Sequence, residues 1–285
     1  MGKVIMSGIV PGLSKPVVVD RVLNNNSWET IRKISDKGEG ANYWSIGDRK
    51  EIVLDGTVGH LTLSNYTTYA FIIGFNHNAE LEGNNRIHFQ LAKTALINGV
   101  DVAFCDSLYD GSVSGTGYFS MNSSNVNTGG WASSQMRTNI CGTSLSSYSK
   151  TIIAVIPAAL RNVLKSVVKY TDNVGGHKVT EGAVTATTDY FFLLAPYEVF
   201  GVIEPNSENP AELDKQKQYA YYSAGNSTYK YNHNSTTSRV WWWLRSPVVN
   251  DVNNNRYFTI VYGESGLISA SNAYASFGFA PCFCV

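Results

Sequence analysis

The histidines and cysteines able to ligate a metal or carry a nucleophile are few and scattered in this chain of 285 residues. None of its five histidines, His60, His77, His88, His177 and His233, has a second His or Cys at the short spacing by which one turn or strand pair shares an ion. A histidine working as a base also needs a positioned partner. The four cysteines, Cys105, Cys141, Cys282 and Cys284, are too few and too irregular for a disulfide scaffold or a zinc site. Cys282 and Cys284 on one strand would have Cα atoms about 6.6 Å apart, near the outer limit for a bridge, so buried free thiols are expected. Gly263-Glu264-Ser265-Gly266 is one residue short of a nucleophile elbow and reads as a hairpin turn. Asp251-Val252-Asn253-Asn254-Asn255 opens like a calcium loop, but Arg256 stands where a Gly is needed and Tyr262 where a bidentate Glu is needed. No catalytic residue, metal or cofactor is assigned, and the expectation is a binding protein, not an enzyme.

Composition narrows the partners. Lysine plus arginine and aspartate plus glutamate balance at 22 each, and charged residues make up 15% of the chain, below the roughly 25% of ordinary domains. A polyanion such as nucleic acid finds no basic surface here. No apolar run reaches the roughly 18 residues that span a bilayer, and the start of the chain has no signal-like apolar core, so membrane insertion is not expected.

The elements that would hold a site are short. Ser27 to Lys33 predicts a helical turn around Trp28 and Ile31, and Glu51–Leu54 and Tyr69–Ile73 predict strands. From Pro157 to Thr171, Leu160, Val163, Leu164, Val167 and Val168 fall on one helical face, with Arg161, Lys165 and Lys169 on the opposite, solvated face. A shorter helix is expected near Ser133 to Ile140, a buried strand at Asp189 to Leu194, and a small helix from Asn209-Pro210-Ala211-Glu212 to about Tyr222. Ser107 to Gly130 reads as a long loop. Strands with two main helices and a loop-rich C-terminal half give an α+β class. Residues 1–25 read as an extended arm, either a docking segment or an edge strand, and 26–285 as one domain.

The last 45 residues organise the rest. Trp241-Trp242-Trp243 is an anchor of large buried area, and Phe277 to Val285 alternates large and small residues as a core strand does. Between them, Val248 to Phe277 carries Asn, Ser and Ala with Tyr257, Tyr262, Tyr274 and Phe277. Tyrosine supplies rigid amphipathic contact area, and Ser and Asn supply adaptable contacts. A hairpin across Gly263 to Gly266 is expected to bring Thr259, Ser269, Ser271 and Tyr274 to one face. Tyr219, Tyr221, Tyr222, Tyr229 and Tyr231 either extend that surface or pack under it.

Trp243-Leu244-Arg245-Ser246-Pro247 and Gly278-Phe279-Ala280-Pro281-Cys282-Phe283 resemble the bracketing motifs of the C-type-lectin-like variable proteins diversified by retroelements, in the branch of gut phages and their bacterial hosts. Tyr43-Trp44-Ser45-Ile46-Gly47-Asp48, Arg86-Ile87-His88-Phe89-Gln90, Gly130-Trp131 through Met136-Arg137, and Thr188 through Leu194 extend the resemblance over residues 26 to 285. It implies a C-type-lectin-like fold of the formylglycine-generating-enzyme-like subtype and a variable region at 248–282. The ligand contacts it implies are Val248, Asn250, Asp251, Asn253, Asn255, Tyr257, Thr259 and Tyr262 on the first half. On the second half they are Leu267, Ser269, Ser271, Asn272, Tyr274, Ala275 and Phe277, with Gly266, Ala273, Ser276 and Gly278 as fixed scaffold. The implied role is a phage tail-tip receptor-binding protein, part of the virion, that holds a bacterial surface protein or glycan. Its other partners are tail structural proteins and, by analogy with tail fibres, two further copies in a trimer. The alternatives are an extracellular or cell-surface bacterial adhesin of the same fold, and an oxidase relative of the formylglycine-generating enzymes.

Overall fold

The computed structural model describes residues 18–59, 61–92, 101–102, 119–204, 208–231, 237–249 and 255–285. It is a mixed α+β protein with antiparallel sheets and little helix. Strands β1 (Arg49–Val58), β2 (Leu61–Phe75) and β3 (Ile87–Ala92) run antiparallel, and the terminal strand β13 (Cys282–Cys284) joins them between β3 and β7 (Phe191–Phe192). Phe283 pairs with Phe89 on one side and Phe191 on the other, so the end of the chain fills the middle of the main sheet. Both faces of β13 are buried, and Cys282 and Cys284 are free buried thiols.

Helix α1 (Trp28–Asp36) covers this sheet, and its start is written locally. Ser27 Oγ accepts from Thr30 N at 3.1 Å, Glu29 sits in the positive first turn and Lys33 in the negative last one. Trp28, Ile31, Ile34 and Ser35 form its buried face. The Trp28 ring meets Phe89 and Phe283 edge-on at 5.6 and 6.0 Å. Residues 18–25 of the expected arm pack on the same domain: Leu23 is buried and Trp44 Nε1 donates to Asp20 O at 3.0 Å. Residues 1–17 lie outside the described residues.

Three smaller sheets complete the fold. Strands β4 (Asp101–Val102), β8 (Lys230–Tyr231) and β9 (Arg239–Val240) form one, and β5 (Val167–Asp172) pairs with β6 (Val184–Asp189). Strands β10 (Trp242–Pro247), β11 (Tyr257–Val261) and β12 (Ile268–Asn272) form the sheet that carries the candidate surface, in that order.

The expected helix at 157–171 does not form. One turn follows Pro157, Ala158–Arg161, and the chain then enters β5. Val167, Val168 and Thr171 are β-branched and suit a pleated strand, and the supposedly solvated basic face is consumed by tertiary contacts. Arg161 donates to the carbonyls of Ile153, Ala154 and Ile156, and Lys169 is fully buried. Among the described residues, one nine-residue helix and several short turns therefore replace the two main helices. The 133–140 segment is a turn at Gly130–Ser133 followed by a π-turn at Met136–Cys141. Asn209 caps a 3-10 turn, Pro210–Glu212, but that turn stops because Glu212 is pulled into the core. A separate turn, Ala220–Ser223, buries Tyr221 and Tyr222.

Candidate functional site

The Trp-Leu-Arg-Ser-Pro segment is β10, buried at every position. Arg245 is its electrostatic centre. Its Nε donates to Thr171 Oγ1 at 2.7 Å, Nη1 to Leu193 O at 2.9 Å, and both Nη atoms to Glu198, with Nη2–Oε1 at 3.0 Å. A guanidinium is tolerated inside a protein only when its donors are satisfied in this way. Glu198 also accepts from Ala195 N at 2.9 Å and from Lys169 Nζ at 2.8 Å. Lys169 Nζ makes two further bonds, to Glu82 Oε2 at 2.7 Å and Tyr219 OH at 2.8 Å. Burial alone would raise the Glu198 pKa, but Arg245 and Lys169 outweigh it and hold the carboxyl below its ordinary value.

His77 and His88, unconnected in the sequence, meet beside this network. His77 stacks on Tyr219 at 3.6 Å, and His88 Nδ1 lies 3.0 Å from Tyr219 OH and 3.3 Å from Cys284 Sγ. The Cys–His contact is not an activated nucleophile. Burial pushes the Cys284 thiol up to about 12 and drives the His88 imidazole well below its ordinary value, leaving two neutral groups. His77, Glu82 and Glu198 offer ligand atoms within 4.8 Å of one another. Lys169 Nζ already sits on both carboxylates, so the position a cation would take is filled by an ammonium. Neither grouping had a spacing signal in the sequence.

A second buried node joins two of the quoted motifs. Asp189 accepts from Trp131 Nε1 at 3.0 Å, Arg137 Nε at 2.6 Å and Thr187 Oγ1 at 2.7 Å. A third ties Val248 to Tyr257, where Asn127 Nδ2 donates to Val248 O at 2.7 Å and Tyr257 O at 3.0 Å. The two apolar brackets are themselves paired: Gly278 N donates to Trp241 O at 2.8 Å and Trp243 N to Gly278 O at 3.1 Å. A Cβ at Gly278 would lie 3.0 Å from Trp241 O. The backbone thus closes both ends of the 248–277 tract on one buried frame.

On that frame the hairpin β11–β12 turns at 262–267, as expected from Gly263 and Gly266. Gly266 has φ +70, and its carbonyl accepts from Thr228 Oγ1 at 2.7 Å. Asn255, Tyr257, Tyr262, Ser269, Ser271, Asn272, Tyr274 and Phe277 are half-buried, and Leu267 is 63% exposed. Three candidates are not at the surface. Val248, Thr259 and Ala275 are buried, and Thr259 Oγ1 donates to Ser246 O at 2.9 Å, which makes them part of the frame. Asn250, Asp251 and Asn253 lie outside the described residues.

The register also separates side chains expected together. Thr259 pairs with Ala270, while Ser269 and Ser271 pair with Ile260 and Phe258. Paired residues share a face and neighbours along a strand alternate, so Thr259 faces opposite Ser269 and Ser271. Tyr262 and Phe277 pack on Trp241 at 4.5 and 5.1 Å. Of the upstream tyrosines, Tyr219, Tyr221 and Tyr222 are buried against the main sheet, at His88, Phe71 and Gln90, whereas Tyr229 and Tyr231 are half-exposed. Tyr229 stacks under Arg239 at 3.8 Å, and its OH donates to Ser265 O at 2.9 Å.

A family model described as a domain of unknown function (DUF6273) matches residues 110–285, more than half of the chain. No curated protein and no solved structure matches. The matched span holds β5 to β13, and its last strand is seated against β3, which precedes the span.

Proposed function

We propose that this chain, which belongs to the DUF6273 family, is a ligand-binding protein of C-type-lectin-like fold that holds a bacterial surface ligand by side chains between Asn255 and Phe277. The observation that carries the reading is the contrast within one hairpin. Tyr257, Tyr262 and every residue of β12 stand half-exposed or exposed, while β11 beside them is buried from Phe258 to Val261 and tied by Thr259 to Ser246 O. Such a division lets surface residues change identity without unfolding the domain. The retroelement-diversified character of the segment and its place on a phage tail tip draw their support from the Trp-Leu-Arg-Ser-Pro and Gly-Phe-Ala-Pro-Cys-Phe resemblance. Many copies on a particle would turn weak single-site binding into avidity.

The test is binding to arrays of bacterial surface proteins and glycans, with Tyr257→Ala and Tyr274→Ala beside the parent chain. The expected result is a ligand whose affinity falls by about tenfold or more in both variants at unchanged melting temperature. A ligand bound equally well by the variants would place the site elsewhere and overturn the reading.

A further inference from the structure

We infer that strand β12 is a docking edge for an extended polypeptide segment of the ligand, which adds to the β10-β11-β12 sheet as a fourth strand. This rests on the binding role proposed above and assigns that site a protein ligand.

The backbone register carries the inference. Tyr262 N donates to Leu267 O at 2.9 Å at the turn, and Ala273 N donates to Arg256 O at 2.8 Å at the far end. Between them the pairs alternate, so Ser269 and Ser271 bond inward to Ile260 and Phe258. Ile268, Ala270 and Asn272 therefore aim their N–H and C=O groups away from β11, along the outer edge. Ala275 N takes the Asn272 carbonyl at 2.9 Å. Among the described residues no backbone group takes the outward N–H and C=O of Ile268 and Ala270.

Among the described residues this edge also lacks the usual guards, Asn125 meeting it only at its end, where its Nδ2 donates to Asn272 Oδ1 at 2.9 Å. Proteins blunt free sheet edges with charge, proline or bulges. The β1 edge of the main sheet follows that rule, with Arg49, Lys50, Glu51 and Asp55 and a bulge between Leu54 and Gly56. Strand β12 reads Ile-Ser-Ala-Ser-Asn in unbroken register, with no charge and no proline.

The occupant follows from the chemistry of the edge. Donors and acceptors repeating every second residue, about 6.8 Å, are matched by another extended backbone and not by the hydroxyls of a glycan. A row of main-chain groups is the same whatever side chains are present. It can supply constant affinity to a surface whose side chains at 269 and 271 set specificity. An edge of three outward-facing residues, one with its carbonyl already taken, is too small a contact to hold a homodimer by itself, which favours a segment of the bound ligand over a second copy.

The experiment screens the full chain against a displayed library of linear ten-residue peptides and, in parallel, a glycan array, and follows amide hydrogen exchange. The expected result is enriched peptides that slow exchange at the Ile268 and Ala270 amides and bind about tenfold more weakly to Ala270→Pro. That proline removes an outward N–H and no ladder bond, and the exchange measurement needs no variant should it fail to fold. Peptides that bind without protecting the two amides would overturn the inference, as would self-association through them. Binding by glycans alone, lost in Tyr257→Ala and Tyr274→Ala, would overturn strand docking and keep the ligand-binding role. Absence of binders of either kind would sink both.

Discussion

Arg245 and Glu198 face each other across a doubly hydrogen-bonded ion pair in which both side chains are fully buried. The pair joins the motif strand β10 to the turn that begins at Pro196, and through Lys169 it reaches Glu82 beside the main sheet. Arg245 and Lys169 keep the Glu198 carboxyl below its ordinary value, while burial pushes the Glu82 carboxyl up to about 7.

Removing one partner strands the other's charge. Arg245→Met is expected to cost about 3–5 kcal/mol of unfolding free energy, read as a lower midpoint in urea. Arg245→Lys should restore little, because an ammonium cannot reproduce the fork that reaches Thr171, Leu193 and Glu198 at once. A lysine variant as stable as the parent would contradict this role.

Asp189 holds Trp131, Arg137 and Thr187 together. Asp189→Ala is expected to destabilise by about 3 kcal/mol or more. Trp131→Phe keeps the ring and loses one bond, for about 1–2 kcal/mol. Equal losses in the two variants would show that packing alone matters there.

A pH dependence follows from Glu208. It is buried, its Oε1 has no hydrogen-bond partner among the described residues, and burial with the nearby Glu212 pushes its carboxyl from 4.5 up to about 9. Its folded form therefore keeps the proton that the unfolded chain releases above 4.5. The stability it contributes is present below that pH and drains away as pH rises towards 9. Glu208→Gln should flatten the fall in melting temperature between pH 5 and pH 8; an unchanged slope would contradict the assignment.

Within the hairpin, burial divides the candidates into two kinds. Ser271→Ala, half-exposed, is expected to change stability by less than about 0.5 kcal/mol. Thr259→Val deletes the buried bond to Ser246 O and should cost about 1–2 kcal/mol. Thermal melts of the two variants side by side check the division.

What the sequence disclosed was local. Trp28 and Ile31 declared a turn over Ser27 to Lys33, which the structure extends to the nine residues of α1, and Gly263 with Gly266 declared the hairpin turn, because each signal lies within a few residues of its effect. The stripe from Leu160 to Val168 misled for the opposite reason. Lys169 finds its partners 87 and 29 residues away, at Glu82 and Glu198, and those contacts hold β5 as a strand. The meeting of His77, His88 and Cys284 is of the same kind, set by the pairing of β3 with β13. At the surface, composition marked a tract but could not say which of its residues are buried. The register sets Thr259 and the two serines on opposite faces, but burial follows the strand: β11 is buried from Phe258 to Val261 and β12 is half-exposed or exposed throughout.

The measurement to make is deep sequencing of this gene across a population of its source, comparing codons 248 to 282 with the remainder. Substitutions are predicted to concentrate at Tyr257, Tyr262, Leu267, Ser269, Ser271, Asn272, Tyr274 and Phe277. They should spare Gly266, whose Cβ would meet Thr228 Oγ1 at 2.9 Å, Gly278, and the buried Thr259 and Ala273. An even, low rate of substitution along the whole chain would contradict a diversified binding face.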